Sequence, residues 1–478
     1  MATEEPIDLL TINRGLVTAP AGCGKTELIA RAIARHNAPK PILVLTHTNA
    51  GVAALRSRLN RAAIPAKTYR LATIDGWAMR LISTFPKRSG HSPDLLELAK
   101  PQADYPAIRK AAAELLRSGS IADILFSSYH RILVDEYQDC STLQHAIIVT
   151  AANTLPTVIL GDQLQAIFNF GLDKLANWEA ETCKEFPEVG VLKTPWRWIN
   201  AKAEEFGLWL LEVRECLKKR QAIDLKTAPS TVVLHLLDGN DDHKVRREAA
   251  SVKPPNRNES VIIIGDSKNP RSQQLIASQT PGAITVEAVD YKDLISFART
   301  FDVRAGNAIS QIANFGQSLM TNAGADHLLK RIASHKNKTS RTAPTELEQS
   351  GLNFVASPSH AAAVDVLVEM NKQAGVRVHR PEILRACIKA LRECGGNGEQ
   401  DLQKAAIRMR EQNRMLGRRL GRRTVGSTLL VKGLEAEVAV VLHACELDAP
   451  NLYVAMTRGS KLLVLCSKSA VLNPKLNP

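Results

Sequence analysis

The sequence predicts an α/β protein with two parallel-sheet domains, the second interrupted by a mostly helical insertion. Over the first 200 residues, short β-branched apolar runs alternate with longer helical patterns. The runs are Leu16–Val17, Ile42–Leu45, Ile132–Val134 and Val158–Leu160; the helices include Lys25–His36 and Ala50–Arg61. That is the pattern of buried strands joined by crossover helices. Further runs at Val232–Leu237, Val261–Ile264 and Ile284–Val286 resume only at Val438–Leu442 and Leu462–Cys466. Between them, helical periodicity dominates. The expected boundaries are 1–195 for the first domain, with a short insertion at about 86–128, then 196–287 and 424–478 for the two parts of the second, and 288–423 for the helical insertion. Inside that insertion Ser334–His360, rich in Lys, Ser, Thr, Pro and Asn, reads as a loop.

Composition narrows the class. With 45 % apolar and 23 % charged residues among 478, the chain can bury a sizeable core. No run approaches the roughly 18 apolar residues of a membrane helix, and the acidic start lacks a signal peptide's basic and apolar regions. The expectation is a cytoplasmic protein without a membrane partner. A net charge of +14 favours a polyanion partner, because counterions released from phosphates drive such binding. Eight scattered cysteines without a CxxC pair, and twelve histidines without HExxH, argue against structural zinc and a disulfide framework.

Two segments carry chemistry. Ala19-Pro-Ala-Gly-Cys-Gly-Lys-Thr26 follows a strand and precedes a helix. This is a phosphate-binding loop with Ala19 in place of its first Gly. The backbone from Gly22 through Cys23 and Gly24 can cradle phosphates, Lys25 can reach the β/γ-phosphates, and Thr26 can hold Mg²⁺. Arg131-Ile-Leu-Val-Asp-Glu-Tyr-Gln-Asp139 puts two acids at the end of a buried strand. Asp135 can hold Mg²⁺ while Glu136 orients and deprotonates the attacking water.

Asp-Glu-Tyr-Gln-Asp resembles motif II of the UvrD/Rep-type superfamily 1 helicases, and further motifs follow in order. Leu45–Ala50 resembles motif Ia, Ala72–Trp77 motif Ib, Gly161–Phe170 motif III, Pro195–Trp198 motif IV, Val431–Glu435 motif V and Tyr453–Arg458 motif VI. The resemblance implies two RecA-like domains that use ATP and Mg²⁺. It implies that Gln165 senses the γ-phosphate, and that Arg197 and Arg458 reach across from the second domain to neutralise the transferring phosphoryl group. Gly433 and Glu435 would bind nucleotide, Glu435 on the ribose, and Trp196 would stack on the base where the family has Tyr. Thr48, Asn49 and Thr73 match positions on strand phosphates, and Phe168 and Phe170 match positions that stack on bases.

A basic window, Lys404–Arg423, sets eight basic residues against Glu411 alone. Arg410, Arg414, Arg418 and Arg422 fall four apart and would share a helix face weakened by Gly417 and Gly421. Arg414, Arg418 and Arg422 are candidate contacts to DNA phosphates.

Departures from the family pattern are specific. Residues 1–24 contain no Gln to read adenine, Leu429 replaces the His of motif V, and Asp75 stands where motif Ib usually has His. Gly171-Leu172-Asp173 replaces the frequent Arg-Gly-Ala. The 20 residues after Arg458 leave no space for a nuclease module. This compactness is similar to helicase subunits that accompany a nuclease in bacterial anti-phage systems such as Gabija. The expected function is an ATP-dependent translocase or helicase moving 3′→5′ on single-stranded or partly duplex DNA. The alternatives are a DNA-stimulated ATPase sensor within a nuclease complex and an RNA helicase.

Overall fold

The computed structural model describes residues 7–168, 174–394, 401–415 and 421–475. These fall into two compact units. The first draws on residues 1–233, 445–462 and 469–478, the second on 234–444 and 463–468.

The first unit is built on six strands: β1 (Arg14–Thr18), β2 (Ile42–Thr46), β3 (Tyr69–Thr73), β4 (Ile132–Val134), β5 (Thr157–Gly161) and β6 (Glu188–Val191). All pair in parallel in the order β3-β2-β4-β5-β1-β6. Alternation along the strands makes two apolar faces. Leu16, Leu43, Leu45, Ile132, Val134 and Ile159 face one core, with the helices Ile74–Thr84, Pro101–Arg117 and Thr142–Ala151. Val17, Ile42, Val44, Leu133, Val158 and Leu160 face the other, with Lys25–Arg35 and Asn49–Arg61. The parallel arrangement brings the C-terminal ends of all six strands to one edge, where the order also switches direction. That edge is where an α/β sheet of this kind binds ligands. A short strand, β7 (Ile223–Asp224), follows.

The second sheet comprises β8 (Val232–Leu236), β9 (Val261–Ile264), β10 (Ala283–Thr285) and, after the small β11 (Met320–Thr321) and β12 (Arg377–Val378), strands β13 (Arg423–Gly426), β14 (Ala436–Val441) and β15 (Gly459–Ser467). Its order is β10-β13-β9-β14-β15-β8, and β10, β13, β9 and β14 run parallel. Strand β16 (Val471–Leu472) pairs with β7. The helices between β10 and β13 have a core of their own, running from Tyr291 to Met409, so the predicted fold class holds, helical interruption included.

Within the two six-stranded sheets, three strands are not visible as apolar runs. β3 contains Arg70, β6 contains Glu188 and Gly190, and β13 opens with Arg423. β13 also corrects the reading of the basic window as one helical face. The helix Leu402–Met415 has ended by the time the chain reaches Arg422, which immediately precedes a central strand. The loop expected at Ser334–His360 is likewise corrected. The helix Glu346–Ala356 forms inside it, started by a capping box between Thr345 and Glu348 and buried through Leu347 and Phe354.

Candidate nucleotide-binding site

Strand β1 delivers the loop Ala19–Gly24 to the C-terminal edge, and the helix Lys25–Arg35 starts directly after it. Gly22 and Gly24 take left-handed φ values of 72° and 88°. A Cβ on Gly22 would lie 2.4 Å from Cζ3 of Trp198, and one on Gly24 would lie 3.1 Å from Cδ1 of Trp196. Glycine is therefore required at Gly22 twice over, for conformation and for space. The Pro195–Trp198 segment lies against the loop, with the Arg197 N–H donating to the Gly22 carbonyl at 3.0 Å. Trp198 is buried, its indole donating to the Gly459 carbonyl at 3.0 Å. Trp196 instead leaves 49 % of its surface exposed next to Gly24, where a flat base can meet it. The buried Cys23 thiol is pushed up to about 12 by burial, and by Asp162, so it stays protonated and unreactive.

Lys25 reaches from the loop to both acids of the β4 edge, with Nζ 3.1 Å from Asp135 Oδ1 and 2.5 Å from Glu136 Oε1. Burial opposes the charge on Lys25, but the two carboxylates more than offset it and hold its pKa above the ordinary lysine value. Asp135 is raised by burial and by Glu136, against the pull of Lys25. Glu136 itself has a φ of 55°, a strained setting for a non-glycine residue that turns its carboxylate toward Lys25. A cation held between two acids at the mouth of a glycine cradle suits a Mg²⁺-nucleotide. Phosphate oxygens would take over Lys25, and Asp135 with the Thr26 hydroxyl would hold the metal. The metal would add charge neutralisation on the phosphates.

Motif III continues the network. The Gln138 amide donates to Glu136 Oε2 at 2.5 Å, and Gln138 Oε1 accepts from the Asp162 N–H at 3.2 Å. Gln165, buried, donates to Asp162 Oδ2 at 3.2 Å. Asp162 is fully buried and meets Arg214 of the helix Glu204–Lys218 at 2.9 Å. Tyr453 lies on the helix Ala449–Met456, and its hydroxyl accepts from the Ala21 N–H of the loop at 3.2 Å. Arg197 donates to the Thr457 carbonyl at 2.6 Å, while the buried Arg458 donates to the Val454 carbonyl at 2.8 Å and to the Thr457 hydroxyl at 3.1 Å. Arg197 and Arg458 thus belong to the same unit as the phosphate loop. Gly433, with φ 81°, and Glu435 belong to the second unit, between the helix Thr428–Val431 and β14.

The nucleic-acid candidates divide. Thr48 and Thr73 cap the helices that follow β2 and β3, accepting from the N–H groups of Gly51 and Gly76 at 3.1 and 2.9 Å. Thr46 and Thr73 are partners in the β2–β3 register, so Thr48, Asn49 and Thr73 gather at the same sheet edge. Phe168 is half-buried, its ring 5.7 Å from that of His47. Phe170 and Arg418, and the side chain of Arg414, lie outside the described residues. Arg422 donates to the Arg257 carbonyl.

One departure from the family pattern acquires a physical reason. Asp75 accepts both Nε and Nη2 of Arg109 at 2.7 Å and the Gln144 amide at 3.0 Å, tying three helices together. Arg131 fastens the segment before β1, donating to the carbonyls of Leu9, Leu10 and Ile12. Sequence reasoning missed Arg214, Gln138 and the Tyr453 hydroxyl. The last two lie inside quoted motifs, whereas Arg214 sits in a helix with no motif around it.

Residues 3–103 and 96–182 match the UvrD/REP helicase N-terminal domain. Through most of the P-loop sheet, residues 3–182 are thus similar to that domain. It is 23 % identical over 258 residues to an ATP-dependent helicase/nuclease subunit of Streptococcus mutans, covering 48 % of this chain and 19 % of that one. It is 29 % identical over 139 residues to the protein of the same name from Lacticaseibacillus casei, covering 22 % and 11 %. The chain spans about a fifth or less of the length of these curated relatives. Among solved structures, Pif1 helicase from Candida albicans superposes over 95 % of this chain and 91 % of its own, at 11 % identity and a TM-score of 0.37. The Arterivirus nonstructural protein 10 helicase in complex with DNA superposes over 54 % and 48 %, at 11 % identity and a TM-score of 0.28.

Proposed function

We propose that the chain is a Mg²⁺-dependent ATP hydrolase that drives translocation or unwinding along DNA, 3′→5′ on single strands. The observation that carries this reading is the Lys25–Asp135–Glu136 cluster at the mouth of the glycine loop. In the proposed reaction Lys25 and the loop amides bind the phosphates and Glu136 accepts the proton of the attacking water. Gln165 reports the γ-phosphate, and Arg197 and Arg458 offset the charge that develops during transfer. Such arginines are worth about 10³–10⁵ in rate in related chemistry. Trp196 offers a stacking face to the base, and Glu435 is proposed to bind the ribose. The gathered Thr48, Asn49 and Thr73 are proposed to hold strand phosphates.

Phosphate release with and without single-stranded oligonucleotides, in DNA and RNA form, tests the coupling. Strong stimulation by DNA is expected, and a rate indifferent to both would reject the reading. Displacement of a block from the 3′ or the 5′ end of a DNA strand tests direction. A second reading is a protein that senses DNA on behalf of a partner nuclease, as in anti-phage defence. It is favoured by the relatives' own name, which joins helicase to nuclease. DNA-stimulated hydrolysis without strand separation would select it.

A further inference from the structure

A buried ion pair lies behind the catalytic acids, and neither the resemblance nor the relatives assign it a role. Asp162 exposes none of its surface and Arg214 only 4 %. Arg214 Nη2 donates to Asp162 Oδ1 at 2.9 Å, and its Nε lies 3.2 and 3.3 Å from the two carboxylate oxygens. The remaining bonds of Asp162 run toward the chemistry. Its carboxylate accepts from the Leu164 N–H at 3.4 Å and from the Gln165 amide at 3.2 Å. Its own N–H donates to Gln138, whose amide donates to Glu136.

Removing two charges from water is costly. A buried pair is often no more stabilising than apolar side chains of the same volume. Stability alone is therefore a weak reason for this pair. Geometry supplies a stronger one. Gln165 hangs on the carboxylate, and Glu136 is connected to the backbone of the same residue through one side chain. The fork of Arg214 fixes the rotation of that carboxylate in a way that a single point charge would not.

The geometry points to Asp162–Arg214 as a positioning pair that holds the catalytic base Glu136 and the phosphate sensor Gln165 in register with each other. This inference rests on the ATPase reading above. Neither residue touches the reacting atoms. They act through Gln138 and Gln165, and small displacements of reacting groups can cost a hundredfold in rate.

The test is the volume-matched apolar replacement Asp162→Leu/Arg214→Met, assayed for thermal stability, ATP affinity and turnover with saturating DNA. The expected result is a melting temperature at or above the parent's and a KM for ATP within about threefold. kcat should fall by about tenfold to a hundredfold. Arg214→Lys keeps the charge and loses the fork, so it should fold and fall between parent and double variant in kcat. It also keeps the test decisive should the double variant fail to fold. A stable double variant, or a stable Arg214→Lys, with parental kcat would overturn the positioning role. A parent that hydrolyses no ATP with any nucleic acid would instead remove the functional reading on which it rests.

Discussion

The phosphate-loop corner of the first unit and the basic stretch of the second both concentrate charge, and they treat it in opposite ways. At the corner, Lys25, Asp135, Glu136, Asp162 and Arg214 are buried or half-buried and bonded to one another, so each side chain's position depends on the next. In the helix Leu402–Met415, Arg408 pairs with Glu393 and Arg410 with Glu411, all on exposed or half-exposed side chains, while beyond it Arg422 and Arg423 donate to carbonyls. Desolvated charges interact strongly and demand fixed partners, whereas solvated ones contribute about 0–1 kcal/mol per pair. The same residue types are catalytic candidates in one setting and adaptable surface in the other.

The largest expected effect tests the corner directly. Glu136→Gln keeps the side chain's shape and removes the base. Turnover should fall by about 10²–10⁴, while ATP still binds because Lys25 and Asp135 remain. Single-turnover hydrolysis with a parallel nucleotide-binding titration measures both. A variant hydrolysing at near the parent rate would break the assignment of the base.

Next comes a pair of glycines, one from each unit. Gly22 and Gly433 both have left-handed φ values, 72° and 81°. Only Gly22 has Trp198 in the way of a Cβ, and Gly433 has nothing within 4 Å. Gly433→Ala should cost about 1 kcal/mol, the left-handed penalty alone. Gly22→Ala should cost about 2–4 kcal/mol, because Trp198 must also move. Denaturant midpoints of the two variants measure the difference, and equal costs would mean that the tryptophan packs less tightly on the loop than the distances imply.

How far each region was legible follows from the same contrast. The loop and the two acids could be read because phosphate chemistry demands particular residues at fixed spacing beside strands. Arg214 could not, because its importance comes from an aspartate 52 positions away, and no local pattern marks the helix that carries it. Strand β13 was hidden because Arg423 keeps a central strand from looking apolar while its guanidinium is absorbed by the carbonyls of Ala250 and Val252. The helix Glu346–Ala356 was hidden by polar neighbours, although the spacing of Thr345 and Glu348 announces its start. Composition registers charge but not whether the charge is already bonded.

A third prediction concerns pH and belongs to the second unit. Burial, with Arg377 and Arg380 adding to it and Glu287 opposing, pulls His379 down to about 4. The folded state therefore favours the neutral ring, while the unfolded chain takes up a proton near pH 6.5. Stability from this residue is intact above about pH 6.5 and drains away as pH falls toward 4, by an amount on the order of 2 kcal/mol. His379→Phe removes the ring but keeps the backbone bonds to Leu319 and Thr285. Its melting temperature should fall less between pH 7.5 and 4.5 than the parent's, by a few degrees. Identical pH dependence would place the acid sensitivity elsewhere.

The smallest effect asks whether the basic stretch touches nucleic acid at all. A guanidinium bonded to a carbonyl keeps its full charge, so Arg422 can still attract a phosphate, whereas Arg408 beside Glu393 is locally neutralised. Replacing Arg414, Arg418 and Arg422 together with Gln should weaken DNA binding similarly for every sequence, since phosphate contacts carry no base information. Each contact to a single strand contributes about −0.7 to the slope of log K against log salt, so three lost contacts should flatten it by about two units. Arg408→Gln should move the slope by less than half of one contact's share, because its charge was already offset. ATP affinity should not change in either variant, since none of these residues belongs to the glycine loop or to the segments proposed to bind nucleotide. Salt-titrated anisotropy with a labelled oligonucleotide reads all three proteins. Parallel slopes for parent and triple variant would mean that the exposed charge of the second unit serves folding and solubility, and that the threonines at the first sheet's edge hold the strand without it.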